Sequence, residues 1–181
     1  MGNRVFCIGE LLIDMICVDK KGLKDGEKFE KKAGGAPANV AASISKLGGK
    51  SYFLGQVGND FFGTYLVEML KSLNINTDMT VKDGNTTLAL VGIDVSGERN
   101  FDFIRGSDGD YSFDKIDTSK ITSSDIIHFG SATGFLDGEL KKTYFSLLKY
   151  AKENGIYISF DPNYRDTLIK DYMLDQFVSE C

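Results

Sequence analysis

The sequence predicts an α/β domain, a parallel sheet flanked by helices with a smaller β element set into it. Three observations lead there. Val5 to Gly9 is a nearly continuous apolar run, as expected of a strand covered on both faces. Strand and helix patterns then alternate, which is the rhythm of a parallel sheet. In the middle, "TTLALVGIDVSGERNFDFIR" breaks that rhythm with two strand-like runs, about Thr87 to Val95 and Arg99 to Arg105, joined by a turn at Ser96-Gly97.

In order along the chain, the first strand reads on through "ELLIDMICV", which places two acids, Glu10 and Asp14, inside an apolar run. From Pro37 to Leu47, Val40, Ala41, Ile44 and Leu47 recur at helical spacing. Pro37 suits the first turn, and Gly48-Gly49 the stop. A strand over Tyr52 to Val57 and a turn at "GND" precede a helix with a stripe of Phe62, Leu66, Met69, Leu70 and Leu73. After the hairpin come a strand at Ile126 to Phe129 and a helix with Leu140, Tyr144, Leu147, Leu148 and Ala151 on one face. A strand at Ile156 to Phe160 and a helix within Thr167 to Val178 complete the reading. A parallel sheet that stops at this point is expected to expose an edge.

The 181 residues, 42% hydrophobic and 26% charged, suit one globular domain. A formal net charge of -5 without a basic stripe argues against nucleic acid and acidic membrane surfaces as partners. No apolar run reaches the length of a membrane span and the start has no signal-peptide pattern, so a cytoplasmic location is the expectation. Cys7, Cys17 and Cys181 are odd in number and lack metal-type spacing, which points to reduced thiols.

Chemistry is sought first at "KKAGGAPANVAASISKLGG", where Gly34 and Gly35 precede a helix. Glycine admits a ligand close to the backbone, and a helix start offers free amides. A tight glycine turn accounts for the pair equally well. Neither G-x-x-x-x-G-K-[ST] nor G-x-G-x-x-G is present, so a P-loop NTPase and a nicotinamide dehydrogenase lose their main support. Asp14, Asn39, Arg105, Asp161, Asn163 and Arg165 fall near predicted strand ends, where open α/β sheets collect ligands. Asp can accept from paired hydroxyls, Asn can donate and accept, and Arg can fork onto two oxygens. Taken alone, "FDPNYRD" is more simply an Asx-type turn at Asp161. His128, the only histidine, has no partners at triad or metal spacing and reads as a packed or hydrogen-bonded strand residue.

At these residues a resemblance enters. "AGGAPANVAASISKLGGKSYFLGQVGNDFFGTYLVEMLKSLNI" is similar to the N-terminal signature region of the ribokinase-like (PfkB) sugar kinases. The stretches "CIGELLIDMI", "TTLALVGIDVSGERNFDFIRGSD" and "FDPNYRDTL" resemble the fructokinase branch, and the match runs from Val5 to about Leu168. The resemblance implies that residues 1–181 are the N-terminal part of a single ribokinase-like domain. Its β-sheet lid, about residues 15–32 and 87–105, would close over the sugar and could pair with a second subunit's lid as a homodimer.

Carried over by residue, the resemblance makes Asp14 a ligand of sugar hydroxyls. It puts backbone amides of Gly34 and Gly35 on the sugar, adds Asn39 as a side-chain contact, and covers the sugar with Phe101, Phe103 and Arg105. Asn163 and Arg165 would face the junction of sugar and phosphate. ATP and Mg2+ are implied as cofactors, but the family's catalytic Asp and its nucleotide and metal motifs come later in the chain and do not occur in residues 1–181. The expected activity is phosphorylation of a ketohexose hydroxymethyl group, this chain carrying the sugar-binding half and probably unable to turn over alone. Ribose or 2-keto-3-deoxygluconate as acceptor, and a non-catalytic sugar-binding module, stand as alternatives.

Overall fold

The computed structural model describes residues 3–93, 99–130, 132–163 and 173–181. Two sheets are present. The larger contains β1 (Arg4–Ile8), β4 (Lys50–Val57), β5 (Thr80–Lys82), β8 (Ile126–Gly130) and β9 (Tyr157–Asp161), all parallel, in the order β5-β4-β1-β8-β9. The smaller contains β2 (Leu12–Cys17), β3 (Phe29–Gly34), β6 (Leu88–Ile93) and β7 (Arg99–Ile104), in the order β3-β2-β6-β7.

Alternation along β1 sets up two cores. Phe6 and Ile8 join Leu54, Ile127 and Phe129 on one face, packed by α4 (Glu139–Glu153) through Leu140, Tyr144, Leu147, Leu148 and Ala151. All five of those helix residues belong to the stripe expected from the sequence. Cys7 and Phe53 face the other way, under α2 (Ala36–Lys46) and α3 (Phe61–Ser72), with Ala38, Ala41, Leu66 and Leu70. Helix α5 (Met173–Glu180) inserts Phe177 among Phe129, Phe135, Phe145 and Phe160, with ring centroids 5.1–5.4 Å away.

The helix ends follow local chemistry. Asp60 caps α3 by accepting from the Gly63 amide at 2.8 Å. At the end of α2, Gly48 takes a positive φ of 84°, and the Gly49 amide returns to the Ile44 carbonyl at 2.9 Å.

Several boundaries differ from expectation. The first strand does not run through "ELLIDMICV": Gly9, at φ 146°, breaks it, and the chain passes into the second sheet as β2. A Cβ on Gly9 would lie 2.7–2.8 Å from Tyr144 Oη, the Gly130 carbonyl and Pro37 Cγ, so the break is also a close crossing. The central hairpin does not stand apart, since β6 pairs in parallel with β2 from Ile13↔Leu88 to Ile16↔Val91. Edge strand β5 and the short helix α1 (Gly22–Asp25) were not anticipated. The Ser96-Gly97 turn and the start of the expected helix at Thr167 lie outside the described residues.

Among the described residues β9 is the outer strand, as a truncated sheet requires. Its uncovered face presents Tyr157, Ser159 and Asp161, all exposed, while Ile158 and Phe160 turn to the core. The exposed row is thus more polar than expected. No helix among the described residues is long and apolar enough to cross a membrane.

Candidate functional site

In the larger sheet the chain adds β4 and β5 on one side of β1, then β8 and β9 on the other. The carboxyl ends of β1 and β8 therefore form a topological switch point, where open α/β sheets bind ligands. Glu10 leaves β1 there. It is 2% exposed, and its Oε1 accepts the Ala36 amide at 3.1 Å and the Ala132 amide at 3.3 Å. One carboxylate thus ties the start of α2 to the loop after β8.

Gly35, at φ 120°, lets the chain turn into α2, and a Cβ there would run into the Glu10 carbonyl. Gly34 is needed for a different reason. Its β3 position faces Asp14, and a Cβ on Gly34 would overlap that carboxylate. No donor among the described residues hydrogen-bonds Asp14, and burial pushes its carboxyl above the usual range. A half-buried carboxylate pressed on a bare backbone, with acceptor capacity to spare, suits a hydroxyl-bearing ligand.

Strand register brings the lid residues to the same face. Asp14 is opposite Ala89, and Ala89 opposite Phe103; one row on, Ile16 is opposite Val91, and Val91 opposite Phe101. Asp14, Phe101 and Phe103 therefore share a surface with Ile16 and Val91. The opposite face of the lid meets α3, where Lys31 Nζ sits 3.7 Å from the Tyr65 ring centroid.

Arg105 does not lie over that surface. Its guanidinium donates to the Asp137 carbonyl at 3.0 Å and the Thr133 carbonyl at 3.4 Å, with Nε 3.7 Å from Asp108. Gly109 makes room for it, since a Cβ there would stand 2.6 Å from one guanidinium nitrogen. Asp108, 1% exposed, also accepts from Thr87 Oγ1 and, at 2.8 Å, from Thr133 Oγ1, while Thr87 Oγ1 receives the Gly106 amide at 2.8 Å. Both roots of the β6-β7 hairpin thus meet at one carboxylate.

Asn39 is exposed in the first turns of α2. Asn163 ends β9 in a left-handed turn at φ 41°, its amide donating to Asp161 Oδ1 at 2.9 Å, which is the Asx-type bond expected of "FDPN". Arg165 lies outside the described residues. His128 is a packed strand residue bonded through Nδ1 to Ser159 Oγ at 3.0 Å, with Nε2 buried and without a partner. Burial lowers its pKa, and the nearby Asp161 charge opposes this.

Sequence reasoning noted Glu10 without giving it a role, and it passed over Asp108 and Thr87. The signal for Glu10 was an acid in an apolar run. Asp108 offered none, because its partners Thr87 and Thr133 lie more than twenty residues away on either side. Among the described residues no three His, Cys, Asp or Glu side chains converge as metal ligands, so this portion does not itself fit a Mg2+ site.

A parallel sheet with a switch-point crevice, roofed by a small sheet that aims a carboxylate at it, defines a sugar-kinase type of α/β protein. Residues 3–179 match the pfkB family carbohydrate kinase, and the chain belongs to that family. It is 41% identical over 166 residues to a protein of Arabidopsis thaliana named probable fructokinase-6, chloroplastic, covering 89% of this chain and 43% of that one. Among solved structures, an uncharacterized sugar kinase from Pyrococcus horikoshii superposes with a TM-score of 0.84 at 32% identity, over 98% of this chain and 58% of its own. Fructokinase from Vibrio cholerae, solved with fructose, ADP and calcium ion bound, gives 0.78 at 28% identity, over 98% and 56%. The chain spans about half the length of the curated relatives it matches.

Proposed function

We propose that this chain is the sugar-binding half of a fructokinase-like enzyme that moves the γ-phosphoryl group of MgATP to a hydroxymethyl group of a ketohexose. The observation that carries the reading is Asp14, a half-buried carboxylate against Gly34 with no protein donor among the described residues. In this reading Asp14 accepts hydrogen bonds from neighbouring sugar hydroxyls and the backbone at Gly34 and Gly35 borders the ring. Asn39 adds a polar contact from α2. Phe101 and Phe103 close over the sugar and exclude water, which favours transfer to the sugar over hydrolysis. Asn163 and Arg165 face the side where the phosphoryl arrives.

MgATP supplies the phosphoryl group and the metal charge that neutralises it. The solved relatives include the Pyrococcus horikoshii protein in complex with ATP. The resemblance puts the base for the attacking hydroxyl and the nucleotide and metal motifs later in the chain, so residues 1–181 alone are expected to bind sugar without turnover. A cytoplasmic location and pairing of two lids through the Phe101 face complete the reading. Ribose as acceptor, or a binding module without catalysis, would use the same Asp14 contact.

The test is a substrate panel with MgATP on the complete gene product, run beside calorimetric titration of fructose. Fructose-dependent ADP formation, lost in Asp14→Ala, is the expected result. Tight sugar binding with no turnover would replace the enzyme by a binding module, and no affinity for any sugar would overturn the reading.

A further inference from the structure

A helix start preceded by glycines is an attractive place for an anionic ligand, because its amides point outward and its dipole favours negative charge. Here that position is already taken. The first amide of α2, on Ala36, donates to Glu10 at 3.1 Å; Pro37 has no N–H; and the Asn39 amide is used by the Gly35 carbonyl at 3.0 Å. The second Glu10 bond, to Ala132, anchors the carboxylate from the far side of the crevice at 3.3 Å. Neither of these donors carries a formal charge.

Two further features act in the same direction. Asp14 brings a second carboxylate against Gly34, within the same loop. Arg105, the cation that could have answered an acidic ligand from the lid, is held by the Asp137 and Thr133 carbonyls beside Asp108.

We infer that Glu10 is a specificity-determining residue that restricts the acceptor to an uncharged polyol and turns away sugar acids and sugars that already carry phosphate. This rests on the sugar-kinase reading given above. The glycine loop makes the backbone approachable, and the buried carboxylate behind it sets the sign of the ligand the loop will accept. A carboxylate or phosphate on the ligand would meet like charge in a partly desolvated site, whereas hydroxyls meet acceptors.

The experiment compares kcat/KM for fructose and for 2-keto-3-deoxygluconate in the complete gene product and in Glu10→Gln, which keeps the Oε1 acceptor and removes the charge. The wild-type preference for fructose is expected to fall by about tenfold or more in the variant, the scale of one like charge at short range. A variant that merely loosens the site lowers both rates together and leaves the ratio where it was, which would overturn the inference. So would a wild-type enzyme that takes the acid as readily as fructose.

If Glu10→Gln does not fold, the wild-type ratio is measured from about 0.05 to about 0.5 M salt, over which screening weakens repulsion between charges near solvent. A preference for fructose that shrinks with salt supports the inference, and a flat one overturns it. Absence of fructose turnover in the wild type would instead count against the kinase reading itself.

Discussion

The carboxylate of Asp14 occupies the space that a side chain on Gly34 would need. Gly34 has no left-handed backbone requirement, so its glycine identity serves that contact and not a turn. Gly34→Ala is expected to displace Asp14 and raise the KM for fructose by about tenfold, equivalent to roughly 1.4 kcal/mol. Steady-state kinetics beside a melting curve would check this: a lowered melting temperature at unchanged KM would assign the glycine to folding instead.

Removing the Asp14 carboxylate should cost on the order of 1–3 kcal/mol of sugar binding. The same change should stabilise the protein. Burial raises the carboxyl's pKa in the folded state, so the folded chain holds its proton more tightly than the unfolded one. The ionised group therefore subtracts stability as pH rises from the unfolded pKa through the folded one. Melting curves should place Asp14→Asn above wild type at neutral pH, with the gap closing below about pH 4.

The parts of this protein that could be read from its sequence are those written in local periodicity. Helix α4 declared its buried face because Leu140, Tyr144, Leu147, Leu148 and Ala151 repeat at helical spacing. The parallel pairing of β2 with β6 was not legible, since some seventy residues separate Ile13 from Leu88 and the pairing leaves no mark on either segment. Site residue types were legible at Asp14 and the glycine pair. The direction of Arg105 was not, because it is set by two backbone carbonyls about thirty residues downstream. Edge strand β5, three residues long, is too short to carry a period.

His128 should make stability fall on acidification. Burial favours its neutral form, so its folded pKa lies below the unfolded value near 6.5. Its contribution is present above that value and is lost as pH falls from there through the folded pKa. Thermal melts from neutral to mildly acidic pH should show this slope, and His128→Asn should flatten it. An equal slope in both proteins would place the titrating group elsewhere.

The lid surface makes a prediction about assembly. Phe101 is 59% exposed on the face it shares with Ile16 and Val91. If two lids pair there, Phe101→Asp should convert a dimer to a monomer in sedimentation velocity at micromolar concentration. A wild-type protein that is already monomeric under those conditions would remove the dimer from the proposal.

Asp108 holds Thr87, before β6, and stands beside Arg105, after β7, while Thr133 fixes it to the loop beyond β8. The hairpin is therefore hinged like a door on a single pin. Its two strands cannot splay at the base, so any swing over the crevice must carry Phe101 and Phe103 together as one stiff panel. Because β2 is laced to β6, the panel's swing also drags Asp14: closing the roof and aiming the carboxylate are one mechanical stroke.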